Sequence, residues 1–266
     1  MKRPTPNAHR LPDRYDLYEL AVTAPVPTAR FLRAVHGGNP RVLREDFSGS
    51  GALSRGWVSQ DPSARAIAVD ADPEPLARLK GQTAIKTVAK DVMKAAEKAD
   101  VIAATNFPVG YWHTRKALVA YLAHARSCLN RSGVLVCDTY GGADAFTAPH
   151  STSASLRTPE GLRVKYTFEQ VSADAATGRV LDALHFHLPA QRGRKARTLR
   201  DAFVYDWRLW SIPELRDTML DAGFRSVDVY DRLGDALDQD GNAYVRPLTP
   251  DDRLDDNYVV YVAARK

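Results

Sequence analysis

Residues 41–54, RVLREDFSGSGALS, constrain the fold more than any other stretch of the chain. A short apolar run leads into an acidic pair, Glu45 and Asp46. Then come the small residues Ser48, Gly49, Ser50 and Gly51 and the apolar start of a helix. This is the pattern of a strand, a tight turn and a helix, in which small side chains let a ligand press against backbone N–H groups at a positive helix end. Carboxylates just before the turn repel a pyrophosphate, but they hold a cationic amino group or a pair of hydroxyls. The stretch predicts a nucleotide-type pocket for a ligand that is not a polyphosphate.

From residue 41 onward, short apolar runs alternate with helical segments. The pattern predicts strands over 41–45, 66–70, 86–89, 100–105 and 133–138, and helices over 51–60, 73–81, 93–98 and 113–130. Strands separated by helices imply right-handed crossovers and a parallel sheet, with the ligand at the carboxyl ends of the strands. Three acids, Glu45, Asp70 and Asp91, fall at the ends of three successive predicted strands. A carboxylate such as Asp70 at the second strand end can accept both hydroxyls of a ribose. Asp91, or the amide of Val92, stands where an adenine edge would lie.

After Asp138 the rhythm changes. Residues 161–172 and 179–189 alternate apolar and polar positions around DAATG, as an antiparallel hairpin does, and a third strand is predicted over 199–206. A helix follows over 212–222, with Ser211 as N-cap, an early Pro213 and Gly223 as its stop. Strands at 225–232 and 257–264 close the chain. Upstream, residues 14–36 read as two helical pieces broken at Pro25 and Pro27. Tyr15 and Tyr18 share a face there, which either packs on the core or lids the pocket. The expected organisation is an N-terminal helical lid over 1–40, an α/β core over 41–150, inserted antiparallel strands over 151–206 and a C-terminal part of the core over 207–266.

Composition narrows the function classes. No apolar run approaches the roughly 20 residues that span a bilayer, and the N-terminus lacks a signal-type apolar region, so a cytoplasmic enzyme is expected. The two cysteines, Cys128 and Cys137, read as core thiols. Of 37 Lys and Arg, five sit in residues 191–200, QRGRKARTLR; the remaining 32 balance 32 Asp and Glu, so the net charge of +5 is a local patch. His185 and His187 share one face of a predicted strand, but no third ligand accompanies them, and no metal is expected.

The motif, the strand-end acids and TNFPVGYW (residues 105–112) together resemble the class I S-adenosylmethionine-dependent methyltransferases, from about Arg41 to the end of the chain. Glu45 matches the acid of the family's first motif, and Gly49 and Gly51 match its second and third glycines. Phe47 stands where the first glycine usually does. Either it reroutes the turn, or it packs under the loop with the register shifted by one. LREDFSGSGALS also looks like a bacterial branch that carries an REDF-type motif. The resemblance implies a doubly wound, mostly parallel seven-stranded sheet with an antiparallel seventh strand, and an added antiparallel β insertion that covers substrate or joins a homodimer.

The cofactor it implies is S-adenosyl-L-methionine, held by Tyr18, Glu45, Phe47, Ser48, Gly49, Gly51, Asp70, Ala71, Asp91, Val92, Asn106 and Phe107. Groups after the fourth strand stand beside the transferred methyl, so Asn106, Tyr111, His113 and Tyr140 are the candidate catalytic residues, with Asp138 beside them. Tyr205, Trp207 and Trp210 are candidates for a substrate wall. The activity expected is methyl transfer to a nitrogen or oxygen of a small molecule. The alternative acceptor is an RNA or DNA base, drawn in by the basic 191–200 loop.

Overall fold

The computed structural model describes residues 11–191, 193–231 and 245–266. Inside its main sheet lies β1 (Val42–Asp46), flanked by two parallel strands, β2 (Arg65–Asp70) and the central β4 (Ala99–Ala104). Outside β2 runs β3 (Ile85–Ala89), and outside β4 runs β5 (Leu129–Gly142), both parallel to their neighbours. The last strand, β11 (Asn257–Arg265), lies antiparallel against β5, and β10 (Ser226–Asp231) pairs antiparallel with β11. The sheet therefore runs β10, β11, β5, β4, β1, β2, β3. This is the doubly wound α/β arrangement with an antiparallel strand next to its edge. Residue 232, the last of the predicted strand 225–232, lies outside the described residues, as do residues 1–10 and Arg192.

Strands buried on both faces need an apolar residue at nearly every position. Here alternate residues serve opposite layers. Leu43, Val101 and Val136 pack with α2 (Pro25–His36) and α3 (Ala52–Val58); Ile102, Leu135 and Cys137 pack with α5 (Arg115–Cys128) and α6 (Ile212–Asp221). Both cysteines are free and buried. The cap read from the sequence holds α6: the Ser211 hydroxyl accepts from the Glu214 amide at 3.4 Å, and Glu214 answers by accepting from the Ser211 amide at 3.0 Å.

Between β5 and α6 the chain builds a second, antiparallel sheet of β6 (His150–Arg157), β7 (Arg163–Asp174), β8 (Arg179–Leu188) and β9 (Arg197–Arg208). The sequence reading found β7, β8 and β9 but not β6, whose STSASL run is exposed and polar and carries no apolar alternation. The helix α1 (Arg14–Val22) lies on the inner face of this sheet, with Leu17 fully buried among Val164, Leu184, Phe186 and Leu188. One predicted helix is absent: residues 93–98 hold only a 3-10 turn, Val92–Lys94. The carbonyls of Val92, Ala95 and Glu97 accept from the Arg44 guanidinium, so that segment lies across a buried charge as an extended loop.

Candidate active site

The REDF segment supplies four side chains with four separate tasks. Arg44 is fully buried and forms a bidentate ion pair with Asp46, at 2.6 and 3.2 Å, while Tyr121 of α5 donates to the same carboxylate at 3.1 Å. Glu45, on the opposite face of the strand, accepts from both the amide (2.8 Å) and the hydroxyl (2.6 Å) of Ser54 and so anchors the first turn of α3. Burial pushes the Glu45 carboxyl up to about 7, against the opposing pull of those two bonds. Phe47 adopts φ 57°, the left-handed region that a glycine would take. The phenylalanine thus takes a backbone conformation that favours glycine. Its ring sits between those of Tyr111 and Tyr121, with centroids 5.9 and 6.0 Å away.

Beyond Phe47 the loop is fixed by β2. The Ser48 amide donates to the Val69 carbonyl at 2.9 Å, and the Gly49 amide to the Asp70 carboxylate at 2.7 Å. Gly49 has φ 51°, and a Cβ there would meet no atom within 4 Å, because the residue borders open space. That space is a cavity of about 560 Å³ at the carboxyl ends of β1, β2 and β4, within the range of roughly 300–1,000 Å³ typical of small-molecule sites. Glu45, Phe47, Ser48, Gly49 and Asp70 line it. The Ser48 hydroxyl is buried and has no hydrogen-bond partner. A buried polar group left unpaired costs about 1–3 kcal/mol, so this one invites a ligand atom. Two carboxylates, a glycine with open space before it and an orphan hydroxyl fit the amino-acid and ribose portions of S-adenosylmethionine.

The far side of the cavity is shaped by the loop after β4. Asn106 (φ 69°) and Phe107 (φ 67°) are two consecutive left-handed residues, and their amides donate to the two oxygens of Asp138 at 2.8 and 2.7 Å. Asp138, at the end of the buried part of β5, thus holds a pair of left-handed residues, a conformation that asparagine tolerates and phenylalanine does not favour. Burial pushes its carboxyl up to about 7 despite both amides. All three residues line the cavity, as does Tyr111 from the short helix that follows.

An aromatic wall closes this half. Tyr166 and Phe168 of β7 and Phe203, Tyr205 and Trp207 of β9 face inward, with Tyr205 stacked on Trp207 at 4.3 Å. From α1, Tyr15 and Tyr18 reach over the top, and the Tyr18 ring packs on Phe203 at 4.9 Å. Burial raises the phenols of Tyr18 and Tyr205, which lie beside one another and near Asp138. The polar side of α1 grips the cofactor half: Glu19 accepts from the Ser50 hydroxyl at 2.5 Å and from Arg55 at 2.6 Å, and Arg78 pairs with Asp16 at 2.8 Å. The apolar side of α1 packs on the second sheet rather than on the main α/β core, and Tyr15 and Tyr18 line the cavity.

Several candidates lie elsewhere. Gly51 does not line the cavity; it admits the side chain of Leu79, which a Cβ would approach to 2.5 Å. Ala71 is exposed beside Asp70 and outside the lining. Asp91 accepts from the Met93 amide as the cap of the 3-10 turn, and Val92 is buried in the core, so neither reaches the cavity. His113 turns its Nε2 to the Asp206 carbonyl at 2.9 Å, and Tyr140 donates to Asp182 at 2.7 Å, which directs both groups into the packing of the second sheet. Trp210 is a core residue that donates to the Trp112 carbonyl. His185 bonds Glu169 and the Asp201 amide, and His187 bonds Thr198. The inward face of β7 and the roles of Ser54 and Phe203 escaped sequence reading; the alternation of Tyr166 and Phe168 was the one signal available for them.

No protein-family model and no curated protein matches the chain. Solved structures do share its fold. They include the sugar N-methyltransferase KedS8 of Streptoalloteichus sp. ATCC 53650, with a TM-score of 0.68 and 17% identity over 100% of this chain and 98% of that one. CalS10 of Micromonospora echinaspora, an amino pentose methyltransferase solved with S-adenosylmethionine bound, gives 0.68 and 15% over 97% and 99%. An S-adenosylmethionine-dependent methyltransferase of Clostridium acetobutylicum ATCC 824 gives 0.68 and 12% over 94% and 96%. The chain therefore has the Rossmann-like fold of these methyltransferases.

Proposed function

We propose that the chain is an S-adenosylmethionine-dependent methyltransferase that acts on a nitrogen or oxygen of a small molecule. The observation that carries this reading is a cavity at the strand ends, where the β1 turn supplies a cofactor cradle on one side and the second sheet supplies an aromatic chamber on the other. Ser48, Gly49 and Asp70 would hold the cofactor's polar portions, with Glu45 beneath them and Phe47 as an apolar wall. When bound, S-adenosylmethionine supplies a methyl group activated by the sulfonium. The chain's own residues bind, align and exclude water, which is most of what an in-line transfer needs. Asp138 fixes the loop of Asn106 and Phe107 beside the chamber, and Tyr18 with Tyr111 closes its mouth.

KedS8 and CalS10, which share the fold over nearly the whole chain, are a sugar N-methyltransferase and an amino pentose methyltransferase, and this supports a small acceptor. The alternative, a nucleic-acid base delivered along the basic 191–200 hairpin, predicts salt-dependent binding of tRNA. The test is incubation with methyl-labelled S-adenosylmethionine and a fractionated metabolite extract. Label appearing in a small-molecule fraction supports the reading, whereas label in RNA alone, or in no fraction, rejects it.

A further inference from the structure

The chamber between Asp138 and the second sheet has a definite chemical character. Among the described residues, four carboxylic acids line the whole cavity, namely Glu45, Asp70, Asp72 and Asp138. One cationic side chain lines it, Arg14, and that guanidinium is already paired with Glu74 at 2.6 Å. Glu45, Asp70 and Asp72 belong to the cofactor half, on β1 and around the end of β2. Asp138 alone faces the chamber, and it is 3% exposed.

A carboxylate offers about four acceptor positions, and the amides of Asn106 and Phe107 take two. Asp138 shares the lining of the cavity with Tyr18, Phe107, Tyr205 and Trp207. Ring faces attract cations, and they do so more strongly where water is excluded. An anionic acceptor would meet like charge with no basic group to receive it. A second polar feature stands on the same wall: the indole N–H of Trp207, on a residue 4% exposed, lies beside the Tyr111 hydroxyl without making a hydrogen bond of good geometry. An oxygen brought by a ligand would pair it in place of that loose contact, and a buried donor left poorly matched is costly.

We propose that the chamber takes a small amine as its cation, held by Asp138 and the aromatic wall, and that the same molecule carries a hydroxyl or carbonyl oxygen for the Trp207 N–H. This rests on the methyltransferase reading and narrows its acceptor from nitrogen or oxygen to nitrogen: the bound ammonium would first pass one proton to the Asp138 carboxylate, and the freed lone pair would form the N–C bond as the sulfonium S–C bond breaks, S-adenosylhomocysteine leaving as the neutral thioether. The raised Asp138 carboxyl is consistent with a group that gains from a cationic partner.

The test is calorimetric titration of three probes, trans-2-aminocyclohexanol, cyclohexane-1,2-diol and cyclohexylamine, with and without S-adenosylhomocysteine. The amino alcohol should bind about tenfold or more tightly than the diol, the worth of one desolvated cation–carboxylate or cation–ring contact. Asp138→Asn should erase that ratio, and Trp207→Phe should erase the advantage of the amino alcohol over cyclohexylamine. The wild-type ratio decides the matter even where Asp138→Asn fails to fold. Equal binding of amino alcohol and diol, or binding of neither, overturns the proposal. S-adenosylhomocysteine titrated alone separates the two claims. Binding of it without amine preference leaves the methyltransferase reading standing and removes this one; absence of its binding removes the methyltransferase reading whatever the probes do.

Discussion

Replacing Arg44 with methionine removes one half of a fully buried ion pair. Arg44 makes two hydrogen bonds to Asp46 and three to the carbonyls of Val92, Ala95 and Glu97. Two of those carbonyls keep a partner in the variant: Val92 accepts from the Ala95 amide, and Ala95 accepts from His124 at 2.8 Å. The main loss is therefore at Asp46, which is 1% exposed and would retain only Tyr121 among its side-chain partners. Breaking a buried pair by deleting one member costs about 3–5 kcal/mol, and that is the expected loss in urea unfolding at pH 7.5.

Burial already raises the Asp46 carboxyl, and Arg44 opposes this. Without Arg44 the folded-state value rises further above the unfolded one. The penalty is then absent below the unfolded value and complete above the folded one, so the variant should lose less at pH 5 than at pH 7.5. Adding Asp46→Leu removes the stranded charge, and the double variant should recover at least about 2 kcal/mol relative to Arg44→Met alone. A single variant that loses under about 1 kcal/mol, or a double variant no better than the single, would refute this account of the REDF motif.

Ser48→Ala deletes a buried hydroxyl that has no partner in the protein, so it should raise the unfolding free energy of the unliganded protein by about 1–3 kcal/mol while weakening S-adenosylhomocysteine binding by about 0.5–1.5 kcal/mol. Loss of stability with unchanged affinity would reverse the assignment. Asp70→Ala should weaken the same binding by about 1–3 kcal/mol, because it removes a ribose acceptor and frees the Gly49 amide; unchanged affinity in calorimetry would reject that role. Glu45 and Asp138 are both pushed up to about 7 by burial, so the folded chain holds protons that the unfolded chain has released. Their stabilisation is complete below about pH 4 and is lost as pH rises toward about 7. The unliganded protein should therefore lose more than about 1 kcal/mol between pH 5 and pH 8, each pKa unit being worth about 1.4 kcal/mol. Denaturant midpoints that hold level or rise over that interval would contradict it.

The parallel core was legible because buried strands announce themselves as apolar runs ended by turn residues, and β2, β4 and β5 carry that mark, while β1 was found through the small-residue turn that follows it. What escaped depends on partners distant in sequence. The helix expected over 93–98 has good local propensity, yet Arg44, about fifty residues earlier, captures the carbonyls that a helix would use. Glu45 looked like a ligand for a cofactor amino group, and its closest bonds are to Ser54. His113 and Tyr140 stand at the expected strand ends, but the second sheet turns them away through Asp206 and Asp182. Phe47 was legible as an anomaly, and its positive φ supplies the explanation that residue type alone could not. Asp138 was a candidate by position, but its grip on two left-handed amides emerges only when β4 and β5 lie side by side.

The central claim is that the turn of residues 45–51 and the end of β2 form a cradle for S-adenosylmethionine. Titration calorimetry with S-adenosylhomocysteine tests it most directly. The account predicts saturable binding at one site per chain, displaced by S-adenosylmethionine and unaffected by NAD or ATP. Absence of binding, or displacement by either pyrophosphate-bearing nucleotide, would contradict it.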